Sequence, residues 1–440
     1  MSAALFTDLY ELTMMAGYHA DGRAGAPATF DLFHRHAPRG VDVVIACGLD
    51  PVLDYLEDLR FDDADLAYLR TLELFDDDFI AVLAELRFTG EVWAVPEGLP
   101  VFPHEPMIRV TAPLAEAQLV ETFLLNRICY SSLVASNAAQ LADAARGKPI
   151  LEFGARRAHG PDGALTGARA AIVGGCTATS NVAAGQRFHV PLSGTQAHSW
   201  IMAFPDELSS FRAYARAFPD SCVLLVDTYD TLRSGLPNAI TVGHELAERG
   251  SRLQAIRLDS GDLATLARAA RLGLDDAGLR EVRILASGDL DAERIAELEA
   301  AEVPIDGYGV GTSLLTAAHD PTFSGVYKLA EIANDPVLKI SGTPAKTTDP
   351  GRKQVWRTAD GDVIGLEDED RDGDPLLHPM MAGGRRQVDR VPLADLAARA
   401  REALAQIRPA VRERRWTVRR SAALRGLRDD LVLHVRASVG

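Results

Sequence analysis

The chain has 440 residues, 47% of them hydrophobic, and a formal net charge of −16 at pH 7 with a pI near 5.2. A chain of this length and apolar content can bury a sizeable core, in two or three structural units. The acidic balance argues against broad binding to nucleic acid or to an anionic membrane, although local Arg and Lys clusters can still hold phosphate.

The cysteines and the amino terminus indicate a cytoplasmic protein. No basic segment followed by an apolar core opens the chain, and no long uncharged apolar run could cross a bilayer. The cysteines form no C-x-x-C pair and no metal-binding spacing, which is typical of reduced thiols. They are Cys47, Cys129, Cys176 and Cys222.

The amino-terminal part mixes helix and strand patterns, which predicts an α+β domain over residues 1–115. Its first helix is predicted to begin at Thr7 or Asp8. Tyr10 then falls in the first turn, where it either faces a pocket or packs as an amphipathic residue. The further elements are a strand over Ala28–Phe33, two acidic helices between Leu49 and Leu86, and strands between Gly90 and Thr111.

A long buried helix is predicted from Pro113 to Gly147, and beyond it the pattern changes. Short apolar runs alternate with helical patterns between Lys148 and Lys328, which predicts a parallel sheet. Seven strand signals with one short connection favour an irregular α/β barrel over residues 116–330. The signals are PILEFGAR, AAIVGG, HVPLSGT, CVLLVDTYD, LQAIRLDSGD, RILASGD and IDGYGVGT.

Six of these runs end in charged, hydroxyl or glycine-rich residues. In a parallel barrel the carboxyl ends share one face, which is where active sites of this architecture lie. Ionisable groups gathered there indicate a functional site rather than a purely structural barrel. The residues are Glu152 and Arg156, Thr195 and His198, Asp227, Arg257 and Asp259, Ser287 and Asp289, and Gly311 and Thr312.

The stretch Pro191–Trp200 places His198 and Ser199 just after a Gly-Thr turn. By itself this pattern favours a capped turn with a hydrogen-bonded histidine, but the clustering of polar strand ends makes His198 a candidate site residue. The turns around Ser287-Gly288 and Gly311-Thr312 are of the kind that cradle phosphate. Arg257 offers a guanidinium fork to a carboxylate or a phosphate.

After Lys328 the strand–helix alternation stops. The segment KISGTPAKTTDPGRKQVWR is typical of hairpins, and surface helices are predicted over Leu393–Ile407 and Arg415–Arg436. Residues 331–440 are therefore expected to form a carboxyl-terminal hairpin and helical extension that packs on the amino-terminal domain.

The motifs together resemble the nicotinate phosphoribosyltransferase family, from about Thr7 to Arg357. They are TDLYELTM, RVTAPLAEAQLVETFLLNRI, EFGARRAHGPDG, SNVAAG, PLSGTQAHSW, DTYDTLRSGLPNA, RLDSGDL, ASGDLD, GVGTSL, VYKLAEI and KTTDPGRKQVWR. The resemblance implies a cytoplasmic, homodimeric type II phosphoribosyltransferase of NAD salvage. Such an enzyme joins nicotinate to phosphoribosyl pyrophosphate, with Mg²⁺ as cofactor, and acts as an ATP-dependent ligase through a phosphorylated histidine.

Carried over residue by residue, the resemblance makes His198 the phosphorylated histidine and assigns Tyr10, Thr195 and Arg257 to nicotinate. Residues in motifs that line the phosphoribosyl and phosphate site are Arg156, Asp227, Asp259, Ser287, Gly288, Gly311 and Thr312. Ser199 is expected to help hold phosphate or substrate.

Physical reasoning adds roles to these residues. The carboxylates of Asp227 and Asp259 can stabilise a cationic sugar at the anomeric carbon. An imidazole attacks phosphorus well when an acceptor holds its other nitrogen, and Glu152, at a neighbouring strand end, is the expected acceptor for His198. Mg²⁺ is expected to bind through the substrate phosphates.

Three other readings remain open. A relative that uses nicotinamide carries an Asp near the segment occupied here by Thr179-Ser180-Asn181, and an uncharged residue suits a carboxylate substrate better. Quinolinate phosphoribosyltransferases lack the histidine motif and do not use ATP. An inactive barrel serving as a binding or assembly module would show no ATP hydrolysis with nicotinate and phosphoribosyl pyrophosphate.

Overall fold

A computed structural model describes residues 3–342 and 346–439, so part of the expected KISGTPAKTTDP hairpin, residues 343–345, lies outside the described residues. Two compact units are present: one combines the residues up to Leu133 with those from Thr322 onward, and the other is Val134–Pro321. The division falls inside the helix Glu121–Ala144. Among the described helices, none combines the length and the apolar character needed to span a membrane.

In the first unit, an antiparallel sheet packs with helices around a large apolar core. Its strand order is Asp335–Pro336, Gly325–Ile332, Pro27–His34, Ile108–Pro113, Glu91–Ala94, His378–Ala382 and Arg385–Arg386. A second sheet has four strands in the order Asp374–Pro375, Lys353–Thr358, Gly361–Leu366 and Thr417–Arg420. A third sheet pairs Val44–Ile45 with Pro100–Val101. The helices are Leu9–Ala20, Leu49–Glu57, Asp63–Thr71, Asp77–Glu85, Leu114–Leu119, Leu393–Arg412 and Ala422–Val439, with a 3-10 turn at Ala3–Leu5.

The predicted elements of this unit are largely present, with three differences. The acidic segment forms three helices rather than two, because Asp62 and Asp76 each cap a new helix by accepting a backbone N–H. The expected single helix after Pro113 is divided into Leu114–Leu119 and Glu121–Ala144. The final helical segment contains the strand Thr417–Arg420, which pairs in parallel with Gly361–Leu366.

In the second unit, the described residues form a curled parallel sheet of six strands. The order is Ala178–Thr179, Ile150–Glu152, Gly307–Val310, Arg283–Ala286, Ala255–Leu258 and Val223–Leu225. The helices are Gly160–Val173, Val182–Phe188, His198–Met202, Glu207–Ala217, Leu236–Glu248, Leu263–Asp276, Ala292–Ala300 and Thr312–Leu315, with a 3-10 turn at Ala155–Arg157 and a π-helical turn at Thr231–Gly235. This is the irregular parallel α/β barrel that the strand signals predicted.

Two predicted strands of the barrel are wrong. The run AAIVGG ends the helix Gly160–Val173, and the strand in this region is the short pair Ala178–Thr179. The run HVPLSGT contributes only a parallel bridge between Thr179 and Leu192. A short apolar run cannot be assigned to a strand or to a buried helix by its periodicity alone.

The segment that replaces the missing strand links the two edges of the sheet. On one edge, Ser193 N–H donates to the carbonyl of Thr179 at 2.9 Å. On the other edge, Nε2 of Gln196 donates to the carbonyl of Val223 at 3.2 Å. The Pro191–Trp200 stretch therefore bridges the two edges of the sheet without forming a regular strand.

A buried pair of acids in the first unit predicts pH-dependent stability. Glu105 and Asp362 are both fully buried, and Asp362 accepts from Nε and Nη2 of Arg357 at 2.9 and 2.7 Å. Burial, followed by the charge of Asp362, raises the pKa of Glu105 well above its ordinary value. Among the described residues no donor faces Glu105 Oε1. This suits a protonated carboxyl that donates to Asp362.

Because the folded protein retains the Glu105 proton that the unfolded chain releases above about pH 4.5, the free energy of unfolding should fall as pH rises from that value. The slope from this group is up to about 1.4 kcal/mol per pH unit. Glu105→Gln keeps a neutral donor and should flatten the profile. Urea unfolding from pH 5 to pH 9 checks this, and identical profiles for the variant and the parent protein would contradict it.

Candidate active site

Polar side chains meet where the parallel strands of the second unit end, and this region is called the strand-end face. Asp227 follows Val223–Leu225, Arg257 and Asp259 lie at the end of Ala255–Leu258, and Ser287 follows Arg283–Ala286. These strands are neighbours in the sheet, in the register that pairs Arg257 with both Leu225 and Leu285. The sheet order therefore brings together residues that are far apart in the sequence.

Arg257 is the centre of a bonded set called the Arg257 network. Its Nε donates to Ser287 Oγ at 2.7 Å, its Nη1 to Thr195 Oγ1 at 3.0 Å, and its Nη2 to Asp259 Oδ1 at 2.6 Å. The guanidinium also lies 5.6 Å from the ring centroid of Phe153. With only 15% of its side chain exposed, the cation is held in one orientation.

Asp259 is held in its ionised form. Burial alone would raise its pKa, but the hydrogen bond from Ser287 and the charge and hydrogen bonding of Arg257 outweigh this effect, so its pKa lies below the ordinary value. Ser287 Oγ donates to the same oxygen as Arg257, at 2.5 Å. The second carboxylate oxygen of Asp259 lies 3.7 Å from Nε2 of His198.

Asp227 lies beside this network and keeps one oxygen without a protein partner. Its Oδ2 accepts from the Asp259 N–H at 2.8 Å and from Ser260 Oγ at 2.7 Å. Its Oδ1 is buried, and no described residue donates to it. A buried carboxylate oxygen without a donor is costly unless a cation, a water or a substrate faces it.

His198 opens the short helix His198–Met202, and 40% of its side chain is exposed. Its Nδ1 lies 3.1 Å from Thr228 Oγ1, at hydrogen-bonding distance. The 3.7 Å separation between its Nε2 and Asp259 is longer than a hydrogen bond. One ring nitrogen is therefore oriented by a hydroxyl, and the other faces a carboxylate without being bonded to it.

The expectation that Glu152 accepts a hydrogen bond from His198 is wrong. Glu152 is fully buried, and its two carboxylate oxygens accept from Thr179 Oγ1 and from the Gly154 N–H. Burial raises its pKa, and these two bonds oppose that effect. Glu152 holds its own strand end in place, whereas the partner of His198 is Thr228.

Glycines allow two backbone turns of the strand-end face to pack closely. Gly288 has a φ of +90°, and a Cβ there would lie 1.9 Å from the Asp259 carbonyl oxygen. A Cβ on Gly311 would lie 2.9 Å from the carbonyl oxygen of Phe153. Both turns therefore require glycine. Thr312 begins a helix of only four residues.

The remaining predicted site residues make fewer contacts. Arg156 is exposed in the 3-10 turn Ala155–Arg157, and Ser199 is exposed in the first turn of its helix. Tyr10 belongs to the first unit, where it is 46% exposed; burial, then the charge of Glu121, raises its pKa. Contact with substrate stays a prediction for these three residues.

Sequence reasoning missed Thr228 and Phe153. Both lie inside motifs that carry the family resemblance. Thr228 directly follows Asp227, and Phe153 directly follows Glu152. A threonine or phenylalanine beside a charged residue carries no signal of its own. Their roles become visible only from the hydrogen bond to His198 and the ring beneath Arg257.

The fold and the site define a parallel α/β-barrel protein with an oriented arginine, two aspartates and a histidine on its strand-end face. The model for the amino-terminal domain of nicotinate phosphoribosyltransferase matches residues 5–129, and the model for the nicotinate phosphoribosyltransferase family matches residues 149–370. The chain belongs to the nicotinate phosphoribosyltransferase family.

Known proteins agree with this placement. The nicotinate phosphoribosyltransferase pncB2 of Mycobacterium tuberculosis H37Rv is 48% identical over 397 residues, covering 89% of this chain and 84% of that protein. The Bacillus subtilis nicotinate phosphoribosyltransferase is 46% identical over 393 residues, covering 86% and 80%. The crystal structure of human nicotinic acid phosphoribosyltransferase superimposes with a TM-score of 0.84 at 32% identity, covering 97% of this chain and 99% of that one.

Proposed function

We propose that this chain joins nicotinate to phosphoribosyl pyrophosphate, giving nicotinate mononucleotide and pyrophosphate for NAD biosynthesis. We further propose that ATP hydrolysis drives the reaction through a phosphohistidine at His198. The observation that carries the proposal is the Arg257 network, because it fixes a planar cation beside two carboxylates on the strand-end face. Family membership supports the same reaction.

The nicotinate carboxylate is the natural partner of Arg257. Described residues take three of its five N–H groups, so the others can face a substrate anion. A guanidinium pairs with a carboxylate in plane, and the Phe153 ring beside it suits an aromatic substrate. The uncharged segment Thr179-Ser180-Asn181 also favours a carboxylate over a carboxamide.

The two aspartates suit displacement at the anomeric carbon. As the bond to pyrophosphate breaks, positive charge develops on the ribose ring, and carboxylate groups at fixed positions stabilise that charge. Asp259 is fixed by Arg257 and Ser287, and Asp227 by the Asp259 N–H and Ser260. The backbone turns at Gly288 and Gly311 are the proposed phosphate-holding segments, and their glycines let these turns pack closely on the Asp259 and Phe153 carbonyl groups.

The residues also fit the expected Mg²⁺. No group of three or more His, Cys, Asp or Glu that could hold a metal by itself occurs in the described part of the chain. This composition suits a cation held mainly by substrate phosphates, with one or two protein carboxylates. Asp227 would offer its Oδ1, to which no described residue donates, as a protein ligand. When bound, Mg²⁺ neutralises charge on the pyrophosphate that leaves.

An assay of the purified protein tests the proposal. With nicotinate, phosphoribosyl pyrophosphate, Mg²⁺ and ATP, nicotinate mononucleotide, pyrophosphate and ADP should form together, measured by chromatography. Parallel reactions with nicotinamide or quinolinate should give little product. Preference for either of these would contradict the substrate assignment, and the absence of any turnover would favour an inactive barrel.

We propose that the working form is a cytoplasmic homodimer. Light scattering combined with gel filtration should give twice the chain mass of 47.4 kDa. A monomer that retains full activity would contradict this proposal.

A further inference from the structure

Thr228, which is not among the predicted site residues, contacts His198, the candidate phosphate acceptor. Its Oγ1 lies 3.1 Å from Nδ1 of His198. Nε2 of the same ring is 3.7 Å from Asp259 Oδ2 and is not hydrogen bonded to it. The two nitrogens are therefore in different environments, and Nδ1 is the one with a hydrogen-bond partner.

The turn that carries Thr228 is fixed on both sides. Before it, Asp227 Oδ2 accepts the Asp259 N–H at 2.8 Å. After it, Asp230 Oδ1 accepts the Arg233 N–H at 2.8 Å and so caps the π-helical turn Thr231–Gly235. A Cβ on Gly235 would lie 1.8 Å from the Val226 carbonyl oxygen, so the turn packs directly on the strand end. A hydroxyl on such a turn has a defined position.

His198 is anchored by its own helix. Trp200 Nε1 donates to the Ser210 carbonyl at 3.2 Å, and its ring lies 4.9 Å from that of Phe204. Ile201 is fully buried. These contacts hold the helix that His198 begins. The contact between His198 Nδ1 and Thr228 Oγ1 therefore links two segments that are each held in place by other contacts.

We propose that Thr228 is the positioning residue that accepts the Nδ1 proton of neutral His198 and thereby keeps the Nε2 lone pair free to attack the γ-phosphate of ATP. The Nε2–phosphorus bond forms while the bond to the β,γ-bridging oxygen breaks, and ADP leaves with that electron pair. The proton stays on Nδ1, bonded to Thr228, and the ring takes a positive charge. The ionised Asp259 beside Nε2 stabilises this cation. The inference rests on the proposed ATP coupling.

The tautomer of His198 tests the role without any turnover. In protein labelled with ¹⁵N-histidine, the His198 signals are those missing from the spectrum of a His198→Asn sample. Thr228→Val removes the hydroxyl at nearly constant volume and should decrease the ratio of Nδ1–H to Nε2–H tautomer about 3-fold to 10-fold, the factor that one net hydrogen bond represents. Thr228→Ser should restore the ratio. An unchanged ratio in Thr228→Val would overturn the proposal.

Kinetics supply the second test. Thr228→Val should slow phosphohistidine formation from ATP by a similar factor, and it should slow ATP-independent phosphoribosyl transfer less. Thr228→Ser should recover the rate of phosphohistidine formation. Thr241→Val serves as the control, because Thr241 is exposed on the helix Leu236–Glu248. Equal losses in the two reactions, or no recovery with serine, would make Thr228 merely structural.

The outcomes separate this inference from the proposed function. If the parent protein forms no phosphohistidine, the ATP coupling fails, whatever the tautomer ratio is. If it forms phosphohistidine and Thr228→Val leaves the tautomer ratio unchanged, only the role of Thr228 fails.

Discussion

Arg257→Ala is expected to decrease kcat/KM for nicotinate by about 100-fold to 1000-fold. The change deletes the cation that faces the substrate carboxylate, and it leaves Asp259, Ser287 and Thr195 without their shared donor. Truncating one partner of a buried, hydrogen-bonded charge pair across a binding interface costs roughly 2–5 kcal/mol, and each 1.4 kcal/mol corresponds to a factor of ten. Steady-state kinetics with each substrate varied in turn measures the loss.

Two variants make the result specific. Arg257→Lys keeps the charge but cannot reproduce the fork, so it should recover only part of the activity. Arg212→Ala removes an arginine from the helix Glu207–Ala217, where it pairs with Glu245 at 2.5 Å, and it should leave the kinetics unchanged. No change in kinetics on either substrate for Arg257→Ala would remove Arg257 from the site. Thermal unfolding of each variant distinguishes a damaged site from a damaged fold.

The barrel could be predicted from the sequence because its signals are local. In the sequence, a buried parallel strand followed by a polar cluster appears as an apolar run that ends in Asp, Arg or Ser. Two strands of the sheet follow this pattern, Ala255–Leu258 and Arg283–Ala286. Since such ends must share one face, the meeting of Arg257 with Ser287 followed from the architecture. The run AAIVGG failed because alanine-rich apolar segments suit a buried helix equally well.

Side-chain partners could not be predicted in the same way. Glu152 ends one barrel strand and Thr228 follows another, and only the folded geometry decides which of them reaches His198. Glu152 is occupied by Thr179 and Gly154, which lie within its own neighbourhood of the sheet. Thr228 reaches Nδ1 because Pro191–Trp200 crosses between the sheet edges and brings His198 to the turn after Val223–Leu225. That crossing has no periodic signal in the sequence.

His198→Ala separates the two halves of the proposed reaction. The variant lacks the nitrogen that accepts phosphate, so ATP should no longer accelerate nucleotide formation, and no acid-labile phosphate should appear on the protein. Slow ATP-independent transfer should remain, because His198 donates to none of the groups in the Arg257 network and Asp259 stays bonded to Arg257 and Ser287. The measurement compares product formation with and without ATP.

The control for this variant is His244→Ala, since His244 is exposed on the helix Leu236–Glu248. It should retain both the ATP stimulation and the phosphohistidine. Equal ATP stimulation in His198→Ala and in the parent protein would show that the coupling does not pass through this ring. The site would then use ATP in another way or not at all, whereas the assignment of nicotinate to Arg257 would stand, because it depends on a separate set of contacts.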